Sequence, residues 1–221
     1  MPHRALSAAI NRCLLALENP SQMLEKEPEA FCPANRQQWR EWLQAHHATK
    51  KSVWLIYHKK KSGTPGIAYA EAVEEALCFG WIDSQAKPLD ANTYQQLFSP
   101  RKPASGWSRV NKARIERLAA AGLLTQAGLD RIAAAKQNGS WTLLDEVEAL
   151  VLPPDLAQLL QATPGASSYF ASLSRTDQRN ILQWLVLARR PETRQKRLAE
   201  IAGLAGQRMK PQQFRSLRKG A

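Results

Sequence analysis

Cysteine and histidine are scarce in this chain of 221 residues, with three cysteines (Cys13, Cys32, Cys78) and four histidines (His3, His46, His47, His58). The cysteines are odd in number and far apart, which excludes a disulfide framework. Neither set has metal-ligand spacing, so no structural metal is expected. No apolar run reaches the roughly 20 residues of a membrane span, and the start Met1-Pro2-His3-Arg4 lacks the apolar core of a secretory leader. The expectation is a cytoplasmic protein in a reducing compartment, without a membrane span. Also missing are a Gly-rich phosphate loop, a Gly-x-Ser-x-Gly elbow, a zinc finger and the aromatic signature of an RNA-binding module. No cofactor is implied.

Acidic residues are in deficit too: 19 against 31 lysines and arginines, a formal charge of +12. Twelve basic and three acidic residues fall between Ser174 and Ala221, so 12 − 3 = 9 of those charges lie in the last segment. Such a segment is either a solvated basic face or a surface for a phosphate-rich partner. Hydrophobic residues at 44% and charged residues at 23% are ordinary for a folded domain.

The periodicities predict a mainly α-helical α+β fold with a small antiparallel sheet of about three strands and a helical C-terminal part. Residues 1–30 read as an N-terminal extension with a helix near 3–17. Asn35 caps a helix carrying Trp39, Trp42 and Leu43, and Val53 to Tyr57 is a strand. Tyr69, Val73, Ala76 and Leu77 recur at helical spacing before Gly80, which suits the left-handed position after a helix. Trp81 to Lys87 and Thr93 to Ser99 form a hairpin over a five-residue loop. Ser108, Thr125 and Ser174 are helix caps, while Pro153-Pro154 and Pro191 open further helices. The expected division is an α+β domain over 31–150 and a helical region over 151–221 packed on it.

Chemistry concentrates in Phe79-Gly80-Trp81-Ile82-Asp83 and in Arg101-Lys102-Pro103-Ala104-Ser105-Gly106-Trp107-Ser108-Arg109-Val110-Asn111. With Ser108 as cap, the first amides of the following helix form a positive end, and Arg101 and Lys102 add cations, an arrangement that favours a phosphate or carboxylate. Ser105, Ser108 and Asn111 could complete the ligand shell, Trp107 offers a face for a ring or cation, and Asp83 is expected to pair with Arg101 or another nearby cation. The anion-site candidates are therefore Asp83, Arg101, Lys102, Ser105, Trp107, Ser108 and Asn111. The competing account is a salt bridge and cap that fasten the hairpin to the helix. A second basic cluster, Arg190, Arg194 and Arg197, shares one face if its two helices run nearly continuously. An enzyme would need a base, with His58 or Glu71 the candidates to stand beside Asp83. Cys78 reads as a buried, inert thiol.

These motifs, with Trp54-Leu55-Ile56-Tyr57-His58-Lys59-Lys60, Ala76-Leu77-Cys78, Phe98-Ser99-Pro100 and Arg190-Pro191-Glu192-Thr193-Arg194, resemble the YdeI/OmpD-associated (OmdA) family of bacterial proteins from about Phe31 to Met209. Ser84 stands where glycine is frequent in that family. The resemblance implies a stress-response role of the type that protects against bacteriocins or cationic antimicrobial peptides, with no assigned activity. A chain at +12 would repel cationic peptides, which argues against direct sequestration. The expected function is a cytosolic stress-protection protein that binds an anionic small molecule or phosphate group. Nucleic-acid binding through the basic C-terminal helices, or an enzyme acting on a small anionic substrate, are the alternatives.

Overall fold

The computed structural model describes residues 28–215, so the helix expected over 3–17 lies outside the described residues. Strand β1 (Ala30–Phe31) is followed by helix α1 (Arg36–His46), whose N-terminus is closed by Asn35 accepting from the Gln38 amide at 3.0 Å. Strand β2 (Val53–His58) leads through a short 3₁₀ turn to helix α2 (Tyr69–Cys78). Gly80 then takes φ +72°, and an added Cβ would lie 2.6 Å from the Arg131 side chain. Two constraints thus demand glycine there, the left-handed backbone and the close neighbour.

Strands β3 (Trp81–Pro88) and β4 (Thr93–Pro100) form the hairpin. Its loop is one residue shorter than expected because Pro88 still pairs with Tyr94. Asp90 fixes the turn by accepting from the amides of Asn92 and Thr93, each at 2.7 Å. The sheet has four strands in the order β1-β2-β4-β3 and is mixed, since β1 runs parallel to β2. This corrects the expectation of about three antiparallel strands: two residues after Pro28 carry no alternation to read. Between Asp83, opposite Phe98, and Ala86, opposite Gln96, β3 gains one residue on its partner, a bulge that includes Ser84.

Four helices cover the rest of the first core and begin the second: α3 (Arg109–Ala120), α4 (Gln126–Gln137), α5 (Asp145–Glu148) and α6 (Pro154–Ala162). They are followed by α7 (Ala166–Ser172), α8 (Arg175–Val186) and α9 (Pro191–Gly206). Ser108, Thr125 and Ser174 cap their helices as the sequence predicts. Short α5 and α7 have no such signature and were not anticipated.

Two apolar clusters result. One packs Trp39, Leu43, Leu55, Leu77, Trp81 and Phe98 beneath α1 to α4; the other packs Leu156, Leu160, Ile181, Leu185, Leu198 and Ile201 among α5 to α9. Each large side chain buried here contributes roughly 1.5 to 3 kcal/mol by area. The loop of residues 101–107 lies where the clusters meet. The Pro103 carbonyl accepts from Asn138 at 2.9 Å and Ser140 at 3.2 Å, and the Ala104 carbonyl accepts from Arg189 at 2.7 Å. Gly106 is pressed against Leu144, where a Cβ would come within 2.8 Å.

A candidate polar ligand site on the inner sheet face

Register decides which side chains meet. Tyr57 is opposite Tyr94, Leu55 opposite Gln96, and both Val53 and Asp83 opposite Phe98, so these residues share the face that α1 and α2 cover. One end of that face is apolar, with Val53, Leu55, Phe98 and Trp81. The other is polar, with Tyr57, Tyr94, Gln96 and Asp83. The rings of Tyr57 and Tyr94 stack at 4.9 Å with 11° between their planes.

The sequence expectation of an ion pair between Asp83 and Arg101 or another nearby cation is not met: Asp83 pairs with no cation among the described residues. Its Oδ2 accepts from the Tyr69 hydroxyl at 2.8 Å and from Gln96 Nε2 at 3.0 Å, while Oδ1 has no partner among the described residues. The reason is positional. Arg101 is one residue past β4, with its amide bonded to the Gly80 carbonyl at 2.9 Å, whereas Asp83 lies three residues further along β3. The Arg101 guanidinium turns instead to the 101–107 loop, donating to the Gly106 carbonyl at 2.8 Å and lying 3.7 Å from the centre of the Trp107 ring.

Arg101 is therefore unusual. It is only 4% exposed, no carboxylate lies within ion-pair reach among the described residues, and its Nε has no hydrogen-bond partner. Burial pushes its pKa down to about 10, with the charge of Asp83 pulling the other way, so it remains a cation at neutral pH. A buried cation without a counter-charge costs several kcal/mol, on the order of a lost charged hydrogen bond or more. Tyr57, 2% exposed, likewise has a hydroxyl without a partner among the described residues. Burial raises its phenol far above the ordinary value, and burial with the Asp83 hydrogen bond pushes Tyr69 up to about 12. Both are neutral donors and neither can serve as a base near neutral pH.

The other expected residues are placed as follows. Trp107 is 2% exposed beneath Arg101, so the cation on its face is the protein's own and the ring is not open to a ligand. Ser108 Oγ accepts the Asn111 amide at 3.3 Å as the cap of α3, and Asn111 Oδ1 accepts from Arg114 at 2.8 Å. Ser105 donates to the Lys102 carbonyl at 2.9 Å, and the Lys102 side chain is exposed. His58 follows Tyr57 and so faces the opposite side of the sheet, 3.8 Å from Cys32 Sγ. Glu71 accepts the Ala68 amide at 3.0 Å at the start of α2. Neither supplies a base beside Asp83. Cys78 is buried, and burial followed by the nearby Glu75 pushes its thiol up to about 11.

The second basic cluster turns inward. Arg194 holds Asp155 with two hydrogen bonds, 2.8 and 3.0 Å, and Arg197 lies 4.7 Å from the Trp184 ring centre while donating to the Trp184 carbonyl. Arg190, at the N-cap of α9, is exposed without a side-chain partner among the described residues. The arrangement that would track phosphates is therefore largely committed to packing the helices.

Tyr57, Tyr69, Tyr94, Gln96 and Arg114 were not singled out from sequence. Alternation in β4, where Gln96 separates Tyr94 from Phe98 on the inner face, is the signal that could have found Tyr94 and Gln96.

Residues 31–131 match the model of a family described as a domain of unknown function (DUF8412). Residues 149–207 match the family described as Bacteriocin-protection, YdeI or OmpD-Associated, in agreement with the resemblance drawn from the motifs. The match divides the chain more finely than the resemblance did: Asp83 and Arg101 to Asn111 fall in the first segment, and Arg190 to Arg194 in the second. No curated protein and no solved structure matches the chain.

Proposed function

We propose that this chain, which carries a Bacteriocin-protection, YdeI or OmpD-Associated region over residues 149–207, is a cytosolic stress-protection protein that binds an anionic small molecule or phosphate group at Arg101. One observation carries the reading: a guanidinium 4% exposed, without an ion pair among the described residues and with Nε unpartnered. An anion would supply the missing counter-charge. The positive end of α3 begins at Ser108, next to the Trp107 ring on which Arg101 lies, and adds to the attraction. Protection would be indirect, because a chain at +12 repels cationic peptides.

Nucleic-acid binding finds less support, because Arg194 and Arg197 are held against Asp155 and Trp184. Catalysis finds less support because His58 faces the other side of the sheet and Glu71 accepts the Ala68 amide, so neither expected base stands beside Asp83. Titration calorimetry with inorganic phosphate and a panel of small carboxylates and phosphate esters tests the proposal. The expected result is saturable binding that Arg101→Met abolishes while the folded state is kept. Absence of binding across the panel, or binding unchanged in Arg101→Met, would overturn it.

A further inference from the structure

A groove in the helical region has a chemistry unlike that of Arg101. It runs between α6, α7 and the start of α8, encloses about 310 Å³, and is walled by Leu152, Leu160, Phe170 and, where the chain leaves α5, Leu150. No charged residue lines it, although α8 and α9 carry arginines. Two features distinguish it from a packing gap. Leu150 has φ +59°, with its amide bonded to the Val147 carbonyl at 3.1 Å and the Val151 amide to the Glu146 carbonyl at 2.8 Å, a helix ending in which glycine ordinarily takes the left-handed place. A leucine there bears backbone strain that glycine would not, and its side chain forms part of the wall. Gln178, also in the lining, supplies the second feature. Its Nε2 donates to the carbonyls of Ala171 at 3.2 Å and Leu173 at 2.9 Å, which can only accept, so the amide is fixed and Oε1 remains an oriented acceptor without a partner among the described residues.

We infer that this groove binds a small neutral molecule with a hydrocarbon body and one hydrogen-bond donor, an alcohol or an amide, whose donor meets Gln178 Oε1. The volume holds about ten water-sized groups at roughly 30 Å³ each, which suits a free small molecule. Leucine and phenylalanine walls favour the body by the apolar area they withdraw from water. An ion would lose its hydration there without gaining a counter-charge, so the ligand is uncharged. The site is independent of Arg101, and its lining residues all lie within the segment that matches the Bacteriocin-protection, YdeI or OmpD-Associated family.

Amide NMR titration of the full chain tests this with two isomers, 1-hexanol and methyl pentyl ether, and with hexanoate. The isomers differ in that only the alcohol carries a donor. 1-Hexanol should bind saturably, shifting amides within residues 150–178, and about fivefold tighter than the ether, the worth of one net hydrogen bond. Hexanoate should bind more weakly than the alcohol at these residues. Leu150→Gly, which keeps the turn and removes part of the wall, should weaken both isomers alike; unchanged affinities in this variant would overturn the inference. If the isomers bind alike to the wild type, or hexanoate binds tighter at these residues, the inference also falls, and neither comparison needs a variant. No shift within residues 150–178 from any probe would overturn it whether or not an anion binds at Arg101. A concentration-dependent dimer whose formation shifts the same amides would make the groove an interface between copies and overturn it as well.

Discussion

Arg194 in the helical region and Arg101 in the sheet region are both held against the protein, yet they are held in different ways. Arg194 meets the carboxylate of Asp155 in a two-pronged contact, and Lys210 meets Asp177 at 3.2 Å. Arg101 meets a carbonyl and an indole. In the same sheet-bearing region, Arg36 and Arg40 show the paired solution again, both at 2.6 Å from the buried carboxylate of Glu75. The segment with nine of the twelve net charges thus uses several of them for packing. Outside that segment Arg101 is buried without an ion pair among the described residues, and within it Arg179 also has an Nε without a partner there.

The contrast can be broken by exchanging the two situations. Glu75→Gln would take the carboxylate from Arg40 and leave Arg36 with Glu74 alone at 3.3 Å, and chemical denaturation should show a loss of about 3 kcal/mol, the lower end for a broken buried pair because both arginines are partly exposed. Gly128→Ala tests how closely α4 must approach α2, because a Cβ there would lie 2.3 Å from the Cys78 carbonyl; about 1 to 3 kcal/mol should be lost in the same measurement. Arg194→Ala should cost about 0.5 to 1 kcal/mol, since the pair with Asp155 is partly exposed. Arg194 holds the Asp155 carboxyl below its ordinary pKa, so this contribution is fully present above the unfolded value and is lost as pH falls through the folded one. The variant and the wild type should therefore converge in stability in acid. Arg101→Met should change stability least, within about 1 kcal/mol, because burial of the unpaired charge offsets the loss of its bond to Gly106. A loss as large as that of Glu75→Gln would show that Arg101 is already compensated.

Much of the fold was legible because its signals are local. Asn35, Ser108, Thr125 and Ser174 each close a helix with a side chain three residues from the amide it accepts, and Gly80 takes the left-handed turn its position predicts. Strand β1 was not legible, being a two-residue strand whose existence depends on the edge of β2. The site was half legible for the same reason. Arg101, Trp107 and Ser108 are neighbours in sequence and stay neighbours in space. Tyr69 and Gln96 reach Asp83 through the placement of α2 and the pairing of β3 with β4, which no short window contains. The expected bond between Asp83 and Arg101 failed because Arg101 follows β4 and sits opposite Gly80, three residues before Asp83.

The loop of residues 101–107 has one more consequence. Its carbonyls at Pro103 and Ala104 are held by Asn138, Ser140 and Arg189, and Gly106 rests on Leu144, so the segment that carries Arg101 is a hem shared by both cores. Opening either core frees one side of it. Amide hydrogen exchange in this loop should follow whichever core opens more readily, and a ligand at Arg101 would slow exchange on both sides of the seam at once.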